Sequence, residues 1–283
     1  MKPDDGAPMP EVPAGGSAPA RPRPSRVRTG LGAAAALVGL AFAAFLALAV
    51  ATLLALVIVR VGGDWIDGVA VLGGDRPRLH PRQLALRELS VDVVRQLVLA
   101  LLVVGAVRWR DGAAWRRTLA LVPPVPPPWG PGAPGLSVRR FAVILLVWPV
   151  LHITWVTGSA ELFRMPIGRH TALSPGLTPA AAALWFAYVL VLAPVAEELL
   201  MRGVLFARAR EAFTAPGAIL ATALLFAGAH LTPAGFARPV SLIPLALILG
   251  WVRWRSGRLW PGILLHAWSN LAMIAYVLGP AVG

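Results

Sequence analysis

Glu197 and Glu198 stand side by side in an otherwise apolar stretch, Ala193-Pro194-Val195-Ala196-Glu197-Glu198-Leu199-Leu200-Met201-Arg202. A carboxylate in or near hydrocarbon is expensive unless it is paired, neutralised or facing a wet cavity, so such a group marks a functional site by default. Arg202 follows Glu198 by four residues, which puts both on one helix face where they can neutralise each other. Glu197 then points about 100° away around the helix and is free for other work. Two later apolar runs each carry a histidine: Phe226-Ala227-Gly228-Ala229-His230 and His266-Ala267-Trp268-Ser269-Asn270. The chemistry open to a carboxylate and two imidazoles is proton handling, either activating a water or relaying protons through a carrier. A blander alternative leaves Glu197, Glu198 and Arg202 in the headgroup region at a helix end. Three polar groups in three apolar helices argue instead for a common meeting place.

The helices that must position these groups are membrane helices. Of 283 residues, 57% are hydrophobic and only 14% charged, which specifies a polytopic membrane protein, all-α, a transmembrane helix bundle. The net charge of +13 would suggest a nucleic-acid partner if the arginines formed a stripe on a soluble domain. They gather instead at the ends of the apolar runs, so no nucleic acid is expected and the lipid bilayer is the partner. With no cysteine, a disulfide framework and a thiolate metal site are both excluded.

In chain order, residues 1–29 are rich in Pro, Gly, Ala and Ser with a basic end, and are expected to be a disordered tail. The apolar run Leu31 to Val59 is too long for a cleaved signal and long enough to span, giving a retained first helix. A polar segment, Gly62 to Glu88, precedes a second helix from Val91 to Val107. A loop from Asp111 to Arg140 contains Pro123-Pro124-Val125-Pro126-Pro127-Pro128, which excludes regular helix. The third helix runs from Phe141 to Val156, with Trp148 and Trp155 expected at the membrane interface and His152 as a satisfied structural residue. His80 and His170 are expected at the surface.

A connector, Gly158 to Pro179, leads to the fourth helix, Ala180 to Ala209, where Pro194 should free the carbonyl of Leu190 and kink the helix one turn before Glu197. Helices five (Pro216–Leu231), six (Val240–Trp251) and seven (Leu259–Leu278) complete about seven spans, with six to eight within reach because helix six is short and contains Pro244. Alternate flanks carry 17 and 8 Lys and Arg residues, which favours a cytoplasmic N-terminus in a multi-pass protein of the cell membrane. One difficulty follows from a rise of about 1.5 Å per residue: His266 lies near the start of its helix and His230 near the end of its own. The two meet only if helix five starts deeper or the helices tilt.

Glu197-Glu198-x-x-x-Arg202, Phe226-x-x-x-His230 and His266-x-x-x-Asn270, in that order on successive apolar helices, resemble the three motifs of the CPBP family, the CAAX-protease and bacteriocin-processing intramembrane proteases, which includes the Rce1-like enzymes. Ser256-Gly257-Arg258-Leu259-Trp260-Pro261-Gly262, ahead of His266, is similar to the lead-in of the third motif. The resemblance implies a protease core over 180–279, preceded by N-terminal membrane helices over 30–157. It also implies an intramembrane endopeptidase acting on a membrane-associated peptide or lipidated protein. The catalytic set would be Glu197, Glu198, His230, His266 and Asn270, supported by Arg202 and Phe226. Glu197 would be the general base, His230 would hold the water, and His266 and Asn270 would orient the substrate and donate to the oxyanion.

Metal dependence stays open at this point. Glu197, His230 and His266 would form the ligands of an open zinc site in a metalloprotease reading, while a glutamate-type reading needs no ion, and the His-Glu-x-x-His signature is absent. Two non-peptidase readings also stand: a non-catalytic membrane scaffold or immunity protein, which would tolerate loss of Glu197, and a proton-coupled transporter, against which the absence of an obvious internal repeat argues.

Overall fold

The computed structural model describes residues 30–66, 80–123, 135–164, 178–231 and 237–279. The expected tail over 1–29, most of the Pro-rich loop and His170 lie outside the described residues. Among the described residues there are seven helices: α1 (Gly30–Ile66), α2 (Pro81–Thr118), α3 (Val138–Leu162), α4 (Pro179–Ala212), α5 (Ala215–Gly228), α6 (Ala237–Ser256) and α7 (Trp260–Leu278). Five of them, α1 to α4 and α7, are long and apolar enough to cross a bilayer. The protein is therefore an all-α, multi-pass membrane bundle. Exposed Phe42, Phe45, Leu101, Leu146 and Val150 give its outside the apolar surface that lipid requires.

Among the described residues seven helices form at the seven apolar runs, but only five qualify as spans by length and apolarity, fewer than the six to eight expected: α5 is short, and α6 carries Arg238, Arg253 and Arg255. The polar segment at 62–88 is partly helical: α1 continues to Ile66 and α2 begins at Pro81. Buried Asp64 meets Arg87 at 3.3 Å, tying the end of α1 to the start of α2. His80 caps α2, its ring nitrogen accepting the Arg82 N–H. α6 runs unbroken through Pro244. Trp148 is a correction: it lies in the middle of α3, buried rather than at an interface, and its Nε1 donates to Ser269 Oγ on α7 at 2.6 Å. An indole N–H buried in hydrocarbon needs such a partner. Trp155, near the far end of α3, is exposed as expected and donates to the Val240 carbonyl.

α4 is the central element. Its stretch from Ala196 to Phe206 is almost wholly buried, with α2, α5, α6 and α7 packed around it, α1 along α2, and α3 across α6 and α7. Close approach depends on small residues: a side chain on Gly203 would come within 3.1 Å of Leu119, and one on Gly262 within 3.4 Å of the Glu198 carboxylate. α4 is also irregular, with wide π turns at Tyr188–Leu192 and Leu199–Leu205 flanking the glutamate pair. Such turns occur often at functional sites.

The π turn moves the consequence of Pro194 by one residue. Ala193 N–H bonds to Tyr188 O, five residues back. In that register the acceptor left by Pro194, which has no N–H, is Val189 O rather than the expected Leu190 O. The Asn270 side chain fills the vacancy, its Nδ2 donating to Val189 O at 2.9 Å.

Candidate active site

The depth difficulty is resolved by recessing α7. Glu197 lies about 22 Å from the Ala212 end of α4, and His230 about 22 Å from the start of α5, by rise per residue. His266 is only about 9 Å into α7, so α7 must start deeper than its neighbours end. It does: Leu259, immediately before it, is fully buried and bonds through its N–H to Ala120 O, and Pro261 and Gly262 are buried. Gly257, at φ 65°, makes the turn out of α6 in the left-handed conformation that suits glycine. The sequence from Ser256 to Gly262 thus folds inward and carries His266 to the level of Glu197.

His230 itself departs from expectation. α5 ends at Gly228, and His230 sits in the turn beyond it. Its Nδ1 lies 2.8 Å from Phe226 O, a helix-end carbonyl with no partner of its own in the helix ladder. Because a carbonyl only accepts, the proton sits on Nδ1, and the neutral ring presents the Nε2 lone pair to the cavity. His266 is oriented the same way by a carboxylate, with Nδ1 3.1 Å from Glu198 Oε1.

Both Nε2 atoms converge on Glu197 Oε2, at 4.0 Å for His230 and 3.9 Å for His266. The other oxygen of Glu197 accepts from Gln96 Nε2 of α2 at 3.1 Å. Gln96 is buried, and its signal in the sequence is that of a polar residue in the apolar part of helix two. Behind the site, Glu198 and Arg202 are both 0% exposed and meet at 2.8 Å. Arg202 also donates to Ala246 O at 2.9 Å, and its guanidinium lies 4.8 Å from the ring centre of Phe226. The Phe226 ring in turn packs against both histidines. Phe226 and Arg202 therefore lie beneath the site, and Asn270 bonds to the π turn in its wall.

Two adjoining cavities, of about 440 and 240 Å³, share Glu197, Phe226, His230, Arg95 and Arg238 in their walls. The first has an otherwise mainly apolar lining, with Leu48, Leu99 and Leu200. The second is more polar and includes Asn270, His266 and His152. His152 is stacked on Trp148, but its Nδ1 has no hydrogen-bond partner among the described residues, so it is not the satisfied structural residue expected.

The donor types of Glu197, His230 and His266 suit zinc, but their spacing does not. A tetrahedral ion with ligands at about 2.0–2.1 Å separates them by about 3.4 Å. Hydrogen bonds of about 2.8 Å to one shared water reach the longer separations found here. Among the described residues, no group of three or more His, Cys, Asp or Glu side chains forms a metal-holding set.

Residues 179–272, a third of the chain, match the family described as Type II CAAX prenyl endopeptidase Rce1-like. No curated protein and no solved structure matches the chain. The matched stretch contains α4, α5, α6 and most of α7, and so every motif residue from Glu197 to Asn270. On that match, and on the order of its three motifs, the segment from 179 to 272 is similar to the Rce1-like branch of the CPBP family.

Proposed function

We propose that the protein is an intramembrane endopeptidase of the CAAX prenyl protease type, in which Glu197 activates the attacking water. The observation that carries this reading is the convergence of both histidine Nε2 atoms on one oxygen of Glu197, at 4.0 and 3.9 Å. A water in that space can give one proton to Glu197 and the other to one histidine Nε2, which orients a lone pair outward for attack. As its oxygen bonds to the scissile carbonyl carbon, one proton passes to Glu197. When the tetrahedral adduct collapses, the C–N bond breaks and Glu197 returns that proton to the leaving amine. Gln96 holds the far oxygen of Glu197, so the base is fixed before substrate arrives.

Glu198 does not line either cavity. Its role in this reading is positioning: Arg202 neutralises it, and it fixes the His266 ring. Asn270 has a second amide hydrogen beyond the one given to Val189 O, and in this reading it is offered to the carbonyl oxygen as negative charge builds there. The basic ends of α2, α4 and α6, with Arg108, Arg110, Arg210, Arg253 and Arg255, support a cell-membrane orientation with this end cytoplasmic.

The test is hydrolysis of a farnesylated CAAX peptide by the purified protein in phospholipid nanodiscs, with products identified by mass spectrometry. Cleavage at a single bond, unaffected by a chelator, is expected. Activity that a chelator abolishes and zinc restores would replace the glutamate mechanism with a metal one. A prenylated peptide left uncut by well-folded protein would count against the peptidase reading.

A further inference from the structure

We infer that Arg238 is the substrate-orienting residue of a carboxylate subsite, which takes the C-terminal carboxylate of the peptide whose nearby bond is cut. Arg238 stands in the first turn of α6 and lines both cavities that Glu197 lines. Its guanidinium makes no hydrogen bond, and no ion pair within 4.0 Å, to any described residue; Glu197, in the same cavity walls, attracts it from a longer distance. Arg238 is half-buried; a guanidinium drawn partly out of water is costly unless an anion joins it, and its planar fork matches a carboxylate with two parallel bonds.

The other charges in these walls are already engaged. Arg95 pairs with Asp92 at 2.9 Å. Glu197 is held by Gln96 and faces the two histidines. The start of α6 adds the positive end of a helix dipole on the same side. Among the described residues, Arg238 is thus the arginine of these two cavity walls that has no ion pair. An apolar peptide entering through the lobe lined by Leu48, Leu99 and Leu200 carries one fixed anion, its own C-terminus. Pairing that group with Arg238 sets how many residues lie beyond the bond presented to Glu197, because an extended chain advances about 3.3 Å per residue.

This subsite rests on the peptidase reading for its meaning, but it can be tested without catalysis. The probe is a fluorescent farnesylated CAAX peptide made as the free acid, as the C-terminal amide, and as the amide with a Glu as last residue. Binding is measured to the Glu197→Gln protein in phosphatidylcholine nanodiscs, alone and combined with Arg238→Gln or Arg238→Lys, after equal melting temperatures are verified. The free acid should bind at least tenfold more tightly than either amide. Arg238→Gln should erase that preference, and Arg238→Lys should retain part of it.

Equal binding of acid and plain amide, or an acid preference that survives Arg238→Gln, overturns the subsite. Tight binding of the Glu-ended amide would show that any carboxylate suffices, and would overturn the assignment to the chain terminus. Wild-type cleavage of acid and amide at equal kcat/KM would sink the subsite while leaving the peptidase. An acid preference through Arg238 in a protein that cuts nothing would leave the subsite and remove the peptidase.

Discussion

Arg202→Met should unfold the core of this bundle far more than its single hydrogen-bonded pair suggests. Arg202 and Glu198 are both 0% exposed and 2.8 Å apart, so removing the guanidinium leaves a buried carboxylate with only His266 Nδ1 for a partner. Breaking a buried pair from one side costs about 3–5 kcal/mol, while replacing both partners by apolar groups of similar volume is often close to neutral. Glu198→Leu alone should cost a comparable amount, because it leaves Arg202 with only the Ala246 carbonyl and the Phe226 ring. The double variant Glu198→Leu/Arg202→Met should therefore be much more stable than the sum of the singles requires. For a chain of this length about 1 kcal/mol corresponds to 2–4 °C, so each single should melt about 6–20 °C lower and the double only a few degrees lower. The assay is thermal unfolding in one detergent, read by near-UV circular dichroism. The double should also be inactive in spite of its stability, since His266 Nδ1 loses Glu198. Additive destabilisation in the double would refute the reasoning.

Gln96→Leu removes the 3.1 Å bond to Glu197, a hydrogen bond to a charged group worth about 1.5–3 kcal/mol. It should lower kcat by about 10- to 100-fold, measured on the same peptide, and lower the melting temperature by about 3–12 °C. Asn270→Ala deprives Val189 O of its donor and should cost about 1–2 kcal/mol of stability. Asn270→Asp cannot donate while ionised and should cost more, which parallel melting curves would reveal.

The helices and the motif residues were legible in the sequence, because hydropathy marks each apolar run and charge within such a run is costly enough to stand out. What was not legible depends on contacts made across the fold. Gln96 finds its partner 101 positions away, and no spacing rule joins them. Trp148 looks like an interface tryptophan until Ser269 of α7 is seen beneath it. The π register at Tyr188–Leu192 moved the vacant carbonyl from Leu190 to Val189, and so gave Asn270 a backbone partner that a regular helix would not provide. His230 lies past the end of α5 because Phe226 O, free at the helix end, holds its ring. Nothing in the spacing of Arg238 marks it as a site residue; its position in both cavities comes from the packing of α6 against the site.

The most direct measurement is single-turnover cleavage of the farnesylated peptide by wild-type and Glu197→Gln protein in the same nanodiscs, with folding matched by melting temperature. General-base catalysis contributes about 10²- to 10⁴-fold, so the variant should fall by at least 100-fold while still binding the peptide. A variant that cuts within tenfold of wild type would contradict the assignment of Glu197 as the base.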